Sequence, residues 1–430
     1  MSRLLRVFPK KKVPDKIVKA KGCYLFTRNK RYLDLTGGST SYAILGWADA
    51  YVNNSIKKQI NKFNHIDYKA WTDPNLEELS KVLCKNKKNK LDKVYFSGNS
   101  GAEACEAAMR MSYQVHFDLG KPEKRWFISR TQSYHGSTAD ALSLGERPNL
   151  EFYRKGLSKK RARIQMHHPK YLMQSGESLD AYAKRSASLL EKKILKIGPD
   201  KVAGFVGETI MGGLVGDVPP APNYWKYIRD ICNKYDIHLL LDEIYCGTGT
   251  SGKMYCCDYD NITPDFLFIG KTLAAGYGAL SAVITTKKIS NVIKKVQGRL
   301  QHTTTYQGHS LSAAAALAVQ KTVNNKNFLN HVNQLGNHMR NILFSELKNH
   351  EFFFDVRGRG LRFSFEYKCR NRDSFSEKLG QTLREKHSIL ISSKFHRACF
   401  TPPLILKKTD AEASLDVYIQ EFKKLASNWT

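Results

Sequence analysis

The sequence predicts an α/β protein: a large unit built on a mostly parallel sheet, followed by a smaller α+β unit. Three observations carry this. Short, uniformly apolar runs such as Leu239–Leu241 and Phe266–Ile269 read as strands buried on both faces. From about residue 50 to 310 such runs alternate with helical stretches, the pattern of strand–helix crossovers in a parallel sheet. After about residue 325 the pattern changes to helices around short strands.

Taken in order, residues 15–45 carry two strand-like runs, Tyr24–Phe26 and Arg31–Leu35, before the Gly37-Gly38 turn. Lys93–Ser97 reads as a strand and Glu103–Phe117 as a helix. Arg125–Ser129 and Val202–Glu208 read as strands, and Asn223–Tyr235 as a helix leading into the strand at Leu239. Near the C-terminus, short strands are expected at Arg362–Tyr367 and Ala398–Thr401. No internal repeat or low-complexity linker interrupts the chain.

Composition excludes some classes. Hydrophobic residues make up 42% and charged residues 25%, ordinary for a globular protein. No apolar run approaches the ~20 residues of a membrane helix, so no membrane association is expected; Ala313–Val319 is among the longest runs. The stretch MSRLLRVFPKKKVPDK is basic but lacks the apolar core of a secretory signal. Nine cysteines without Cys-x-x-Cys spacing argue against a disulfide framework and for reduced thiols in a cytoplasm. No metal site is expected.

The formal net charge of +30 raises nucleic-acid binding as a different class of function. The lysines are spread along the whole chain, however, with asparagines between them at residues 85–90, and no nucleic-acid motif accompanies them. No nucleic-acid partner is expected. The densest basic cluster, Arg154–Arg163, reads as a solvated loop that would favour an anionic substrate if it bordered the active site.

In open α/β sheets ligands bind beyond the carboxyl ends of the strands. Asp242 ends one apolar run, and Gly270-Lys271 ends the next. A lysine there can form a Schiff base, and a carboxylate can hold a protonated pyridine nitrogen. Asp242-Glu243-Ile244, the Gly247–Gly252 turn, Thr263-Pro264-Asp265 and Gly270-Lys271 stand in one order. That order resembles the signature of class III aminotransferases, pyridoxal-phosphate (PLP) enzymes of fold type I.

The resemblance implies a large PLP-binding domain over residues 49–324. It also implies a small domain built from both chain ends, residues 1–48 and 325–430. Lys271 is implied as the residue that holds PLP as a Schiff base, and Asp242 as the partner of its ring nitrogen; both are the expected catalytic residues. Ser100, Gly101 and Ala102, in a turn that follows a strand and opens a helix, resemble the phosphate cradle. Tyr134-His135-Gly136 resembles the motif whose aromatic ring stacks on the pyridine, and Glu208 matches a glutamate beside the cofactor. Ile244, within the signature, is implied as a further cofactor-binding residue. Thr305, in His302–His309, resembles the threonine that reaches the partner subunit's phosphate, which implies a homodimer with shared active sites.

The implied reaction moves an amino group from a terminal amine or omega-amino acid to a keto acid, pyruvate or 2-oxoglutarate. Aminomutase and decarboxylating relatives are the alternatives within the family. The amine:pyruvate branch often carries a mobile arginine upstream of a Pro-Pro-Leu, here Pro402-Pro403-Leu404. Its place falls on Ser392 or Ser393, Arg397 lies nearby, and Thr250 stands where the signature turn frequently has arginine.

Overall fold

The computed structural model describes residues 3–8, 14–85, 90–147, 150–154, 156–157 and 159–429. Parts of the basic N-terminal stretch, of the 85–90 run and of the Arg154–Arg163 cluster lie outside them.

Strands β1 (Lys19–Lys21), β2 (Tyr24–Phe26) and β3 (Arg31–Asp34) form an antiparallel meander near the N-terminus. The central sheet then gathers β4 (Leu91–Phe96), β5 (Trp126–Arg130), β6 (Arg161–Ile164), β7 (Val202–Glu208), β8 (His238–Asp242), β9 (Phe266–Ile269) and β10 (Ala282–Thr286). Their spatial order is β4-β10-β9-β8-β7-β5-β6. Strands β6, β5, β7, β8 and β9 run parallel, while β10 is antiparallel to both β9 and β4. The sequence pattern had no signal for that reversal: a doubly buried strand reads the same in either direction.

Successive side chains of a strand point to opposite faces, and the apolar runs follow that rule. Leu239 and Leu241 of β8, with Leu267 and Ile269 of β9, pack into one core with Phe205, Tyr224 and Trp225. Leu240, Phe266 and Phe268 point the other way, against Ala104, Ala107, Ala108 and Met109 of the Gly101–Asp118 helix. Each such buried side chain contributes about 1.5–3 kcal/mol, which leaves no room for polar alternation in β8 and β9. The small alanines let the helix lie close to the sheet.

The chain ends meet in a third core. Strand β13 (Ile389–Leu390) pairs in parallel with β3, placing Ile389 opposite Leu33. The sheet of β11 (Phe353–Arg359), β12 (Arg362–Tyr367), β14 (Ser392–Lys394) and β15 (Arg397–Phe400) is antiparallel, in the order β11-β12-β15-β14. Its Phe363 and Phe365 share a core with Leu35 and Ile44 from the N-terminal segment and with Tyr418 and Phe422 of the Lys408–Ala426 helix.

Three arginines of this sheet reach the loop that follows β7. Arg362, fully buried, pairs with Asp217 at 2.7 Å. Arg357 donates to the carbonyl of Val215 at 2.7 Å and Arg397 to that of Leu214 at 2.6 Å. The Ser364 hydroxyl adds a hydrogen bond to Asp217 at 2.7 Å. Breaking a buried pair leaves an uncompensated charge. Asp217→Ala is therefore expected to lose about 3–5 kcal/mol of stability, measured by urea unfolding followed by far-UV circular dichroism; a change under about 1 kcal/mol would mean that Arg362 is solvated after all.

Candidate active site

Strands β8 and β9 lie side by side with Asp242 opposite Phe268, so Asp242 and Lys271 leave the sheet at the same edge. Glu208 ends β7 opposite Asp242. Lys271 has φ +38°, in the left-handed region that is uncommon for a residue with a side chain. Its Nζ lies 4.6 Å from the centre of the Tyr245 ring, and the Arg362 guanidinium stacks on that ring as well. Burial lowers the Lys271 pKa, and the Arg362 charge adds to that. Asp242 and Glu208 oppose them, and the amine settles at about 8.

The Asp242 carboxylate is fixed on both oxygens. Oδ1 accepts the Ile244 amide at 3.0 Å, and Oδ2 meets Nδ1 of His135 at 2.8 Å. With Nδ1 as the donor, His135 holds its proton toward Asp242 and leaves Nε2, which is buried without a protein partner. Glu208 accepts the Tyr134 amide at 2.7 Å and the Gly212 amide at 2.5 Å. Tyr134 and His135 are thus tied to the ends of β7 and β8.

Facing them is the start of the Gly101–Asp118 helix. Ser100 is its N-cap, and a capping box uses the Glu103 carboxylate to accept the amides of Asn99 at 2.5 Å and Ser100 at 2.9 Å. The amides of Gly101 and Ala102 have no protein acceptor among the described residues, which leaves two donors at the positive end of the helix dipole. Two glycines permit the approach. A Cβ on Gly101 would overlap the Ile244 side chain, and one on Gly136, at φ +144°, would come within 2.8 Å of the Ala102 Cα.

The structure thus gathers Lys271, Asp242, Glu208, Tyr134, His135, Ile244, Ser100, Gly101 and Ala102 at one sheet edge. Among the described residues no hydrogen bond or ion pair joins Thr305 to them. It is exposed, its carbonyl accepts from Nε2 of His65 at 3.3 Å, and its segment passes the end of β4 where Gly308 donates to Ser97. Sequence reading missed Tyr245 and Arg362, which flank the lysine. A charged residue opening the apolar strand at 362–367 was the one available signal for Arg362. Glu243 was missed too: fully buried, it accepts from Thr209 at 3.0 Å and from the amides of Cys256 and Cys257 at 2.6 and 2.7 Å, and burial raises its carboxyl pKa to about 7.

One expectation changes. The Arg154–Arg163 cluster is not a solvated loop throughout: its end is the edge strand β6. There Arg161 pairs with Asp140 at 2.7 Å, and Arg163 donates to the carbonyls of Leu144 and Gly145. The Arg163 guanidinium thus caps the end of the Ala139–Leu144 helix, a use of positive charge that a count of basic residues cannot reveal. Arg397 is only 4% exposed and is engaged with Leu214; Ser392 and Ser393 lie on β14. Among the described residues no helix is long and apolar enough to cross a membrane.

The donor set fits PLP: two unpartnered amides for a phosphate, a fixed carboxylate for a ring nitrogen, and a low-pKa amine for a carbonyl. Comparison with known proteins agrees with the geometry. A family model described as Aminotransferase class-III matches residues 8–421. Gamma aminobutyrate transaminase 2 of Solanum lycopersicum is 32% identical over 435 residues, covering 95% of this chain and 92% of that protein. Vanillin aminotransferase of Capsicum chinense is 30% identical over 426 residues, covering 95% and 91%. Among solved structures, an omega transaminase from Pseudomonas jessenii in complex with PMP superposes with a TM-score of 0.90 at 26% identity, covering 96% of this chain and 93% of that one.

The amine at about 8 has a direct consequence. Below that pH Lys271 is protonated and unreactive; above it the neutral amine dominates, while exposed lysines stay protonated to about 10.4. In the cofactor-free protein, mass-spectrometric labelling of Lys271 by an amine-selective reagent is expected to rise with a midpoint near 8. A midpoint shared with the surface lysines would contradict the environment described.

Proposed function

The chain belongs to the class-III aminotransferases, and from that premise we propose that it moves an amino group from a terminal amine or omega-amino acid to a keto acid, pyruvate or 2-oxoglutarate, with PLP held at Lys271. One observation supports this above the others. A lysine with its pKa lowered to about 8 and a carboxylate held by His135 leave adjacent parallel strands at the edge where two free helix amides point.

When bound, PLP supplies a ring that draws off the electron pair left on the substrate carbon. The chain's residues do the rest. Lys271 Nζ takes up and releases a proton close to neutral pH, the range in which a general base works best. Asp242 would face the ring nitrogen with a charge that His135 and the Ile244 amide hold in place. The Gly101 and Ala102 amides, with Ser100, would take the phosphate. Tyr134 would lie along the ring, held through its amide by Glu208.

The same reading takes the protein as a cytoplasmic homodimer whose Thr305 completes the partner subunit's phosphate site. Exposed aromatics at Trp71 and Tyr306 support a surface that a second subunit covers. The small domain, residues 1–48 and 325–430, would carry the substrate side of the site against the large domain at 49–324. The aminomutase, decarboxylating and nucleic-acid readings are not favoured, since the named relatives are transaminases and the family match spans nearly the whole chain.

The near-visible absorption spectrum of the purified protein tests the proposal. A band that bleaches with an amine donor and returns with pyruvate or 2-oxoglutarate is expected, and the donor that bleaches it identifies the substrate. In Lys271→Ala turnover is expected to fall by at least about 100-fold. No band after addition of PLP would overturn the cofactor assignment.

A further inference from the structure

An acceptor of the proposed kind brings a carboxylate next to Lys271, and a carboxylate entering a partly dehydrated site needs a cation. Most arginines around the site are already engaged. Arg362 is held by Asp217, Arg357 by Asp355 and Glu366, Arg397 by the Leu214 carbonyl, and Arg130 donates to the Glu208 carbonyl. Each of these guanidiniums is anchored inside the fold by the partner named, and all four are buried.

Arg147 stands apart. It is exposed, and among the described residues its guanidinium has no carboxylate or hydrogen-bond acceptor. Its guanidinium carbon lies 4.2 Å from the centre of the Tyr134 ring. Tyr134 is fixed through its amide to Glu208 at the sheet edge, so the ring holds Arg147 at the border of the site. The Arg147 charge reaches far enough inward to help lower the Lys271 pKa, after burial and Arg362. A guanidinium stacked on an aromatic face keeps its N–H edge available, and that edge matches a carboxylate with two parallel hydrogen bonds.

We propose that Arg147 is a specificity-determining residue that binds the carboxylate of the keto-acid acceptor. The proposal rests on the aminotransferase reading with a keto-acid acceptor. Its test compares the holoenzyme with Arg147→Gln and Arg147→Lys, using pyruvate as the carboxylate acceptor and propanal as an acceptor without one. Loss of a charge-assisted pair is expected to raise KM for pyruvate about 10- to 100-fold in Arg147→Gln, with lysine restoring part of the loss and the propanal reaction changing by less than about twofold. An equal loss with both acceptors would mean that Arg147 merely supports Tyr134 and would overturn the proposal. Calorimetric binding of pyruvate gives a reading independent of turnover. A Kd unchanged in Arg147→Gln overturns the role of Arg147 even in an active enzyme, whereas a weakened Kd in a protein that transaminates neither acceptor supports Arg147 and sinks the functional reading instead.

Discussion

The site depends on how closely the start of the Gly101–Asp118 helix approaches the ends of β8 and β9. A Cβ at position 101 would collide with Ile244, and one at 136 would press on Ala102. An ideal Cβ on Gly270, the residue before the lysine, would lie 3.5 Å from the Gly101 backbone. Three chain segments therefore meet with almost no side chain between them. Moving the helix outward by the width of a methyl group would take its free amides, and the positive end of its dipole, away from the lysine and the carboxylate. Because that dipole effect fades within the first turn, distance decides whether the helix acts on a bound anion at all.

At that meeting point the charge of Lys271 is set by competition. Two anions, Asp242 and Glu208, favour the ammonium; burial and Arg362 disfavour it, and the second pair wins. A drop from 10.5 to about 8 corresponds to roughly 3 kcal/mol of differential stabilisation of the two protonation states. The anions lose because each has other claims on it. Asp242 is hydrogen-bonded to His135 and to the Ile244 amide, and Glu208 to two backbone amides. Arg362 touches the Tyr245 ring on which the lysine amine also rests, so its positive charge acts at short range.

Much of this was legible in the sequence, and what was not shares a cause. Strands β7, β9 and β12 have the bounds that their apolar runs suggested, because burial on both faces permits little else. The Asp242 and Lys271 pair could be placed because strand ends follow from strand bounds. The reversed direction of β10 was invisible, since direction leaves no mark on an apolar run. So was the fate of Arg161 and Arg163, which the eye assigns to water and the fold assigns to the Ala139–Leu144 helix, Arg161 to Asp140 and the Ser143 hydroxyl and Arg163 to the Leu144 carbonyl. Tyr245, Arg362 and the His135–Asp242 bond are contacts between segments more than 20 residues apart, and local pattern carries no information about them.

The same three arginines that join the C-terminal sheet to the loop after β7 also link that junction to the chemistry. The loop they hold begins at Glu208, whose carboxylate fixes the Tyr134 amide, and it continues through Gly212, whose amide returns to Glu208. It then reaches Leu214, Val215 and Asp217, where Arg397, Arg357 and Arg362 attach. A displacement of the C-terminal sheet would thus be transmitted along ten residues to the wall of the site. Fixed cations serve this purpose well, because a buried, paired guanidinium resists displacement by several kcal/mol. They serve substrate choice poorly for the same reason. Selectivity must then reside in groups that the fold leaves unpaired, which is why an excess of basic residues, mostly on the surface, says less about function than the pairing state of a few arginines.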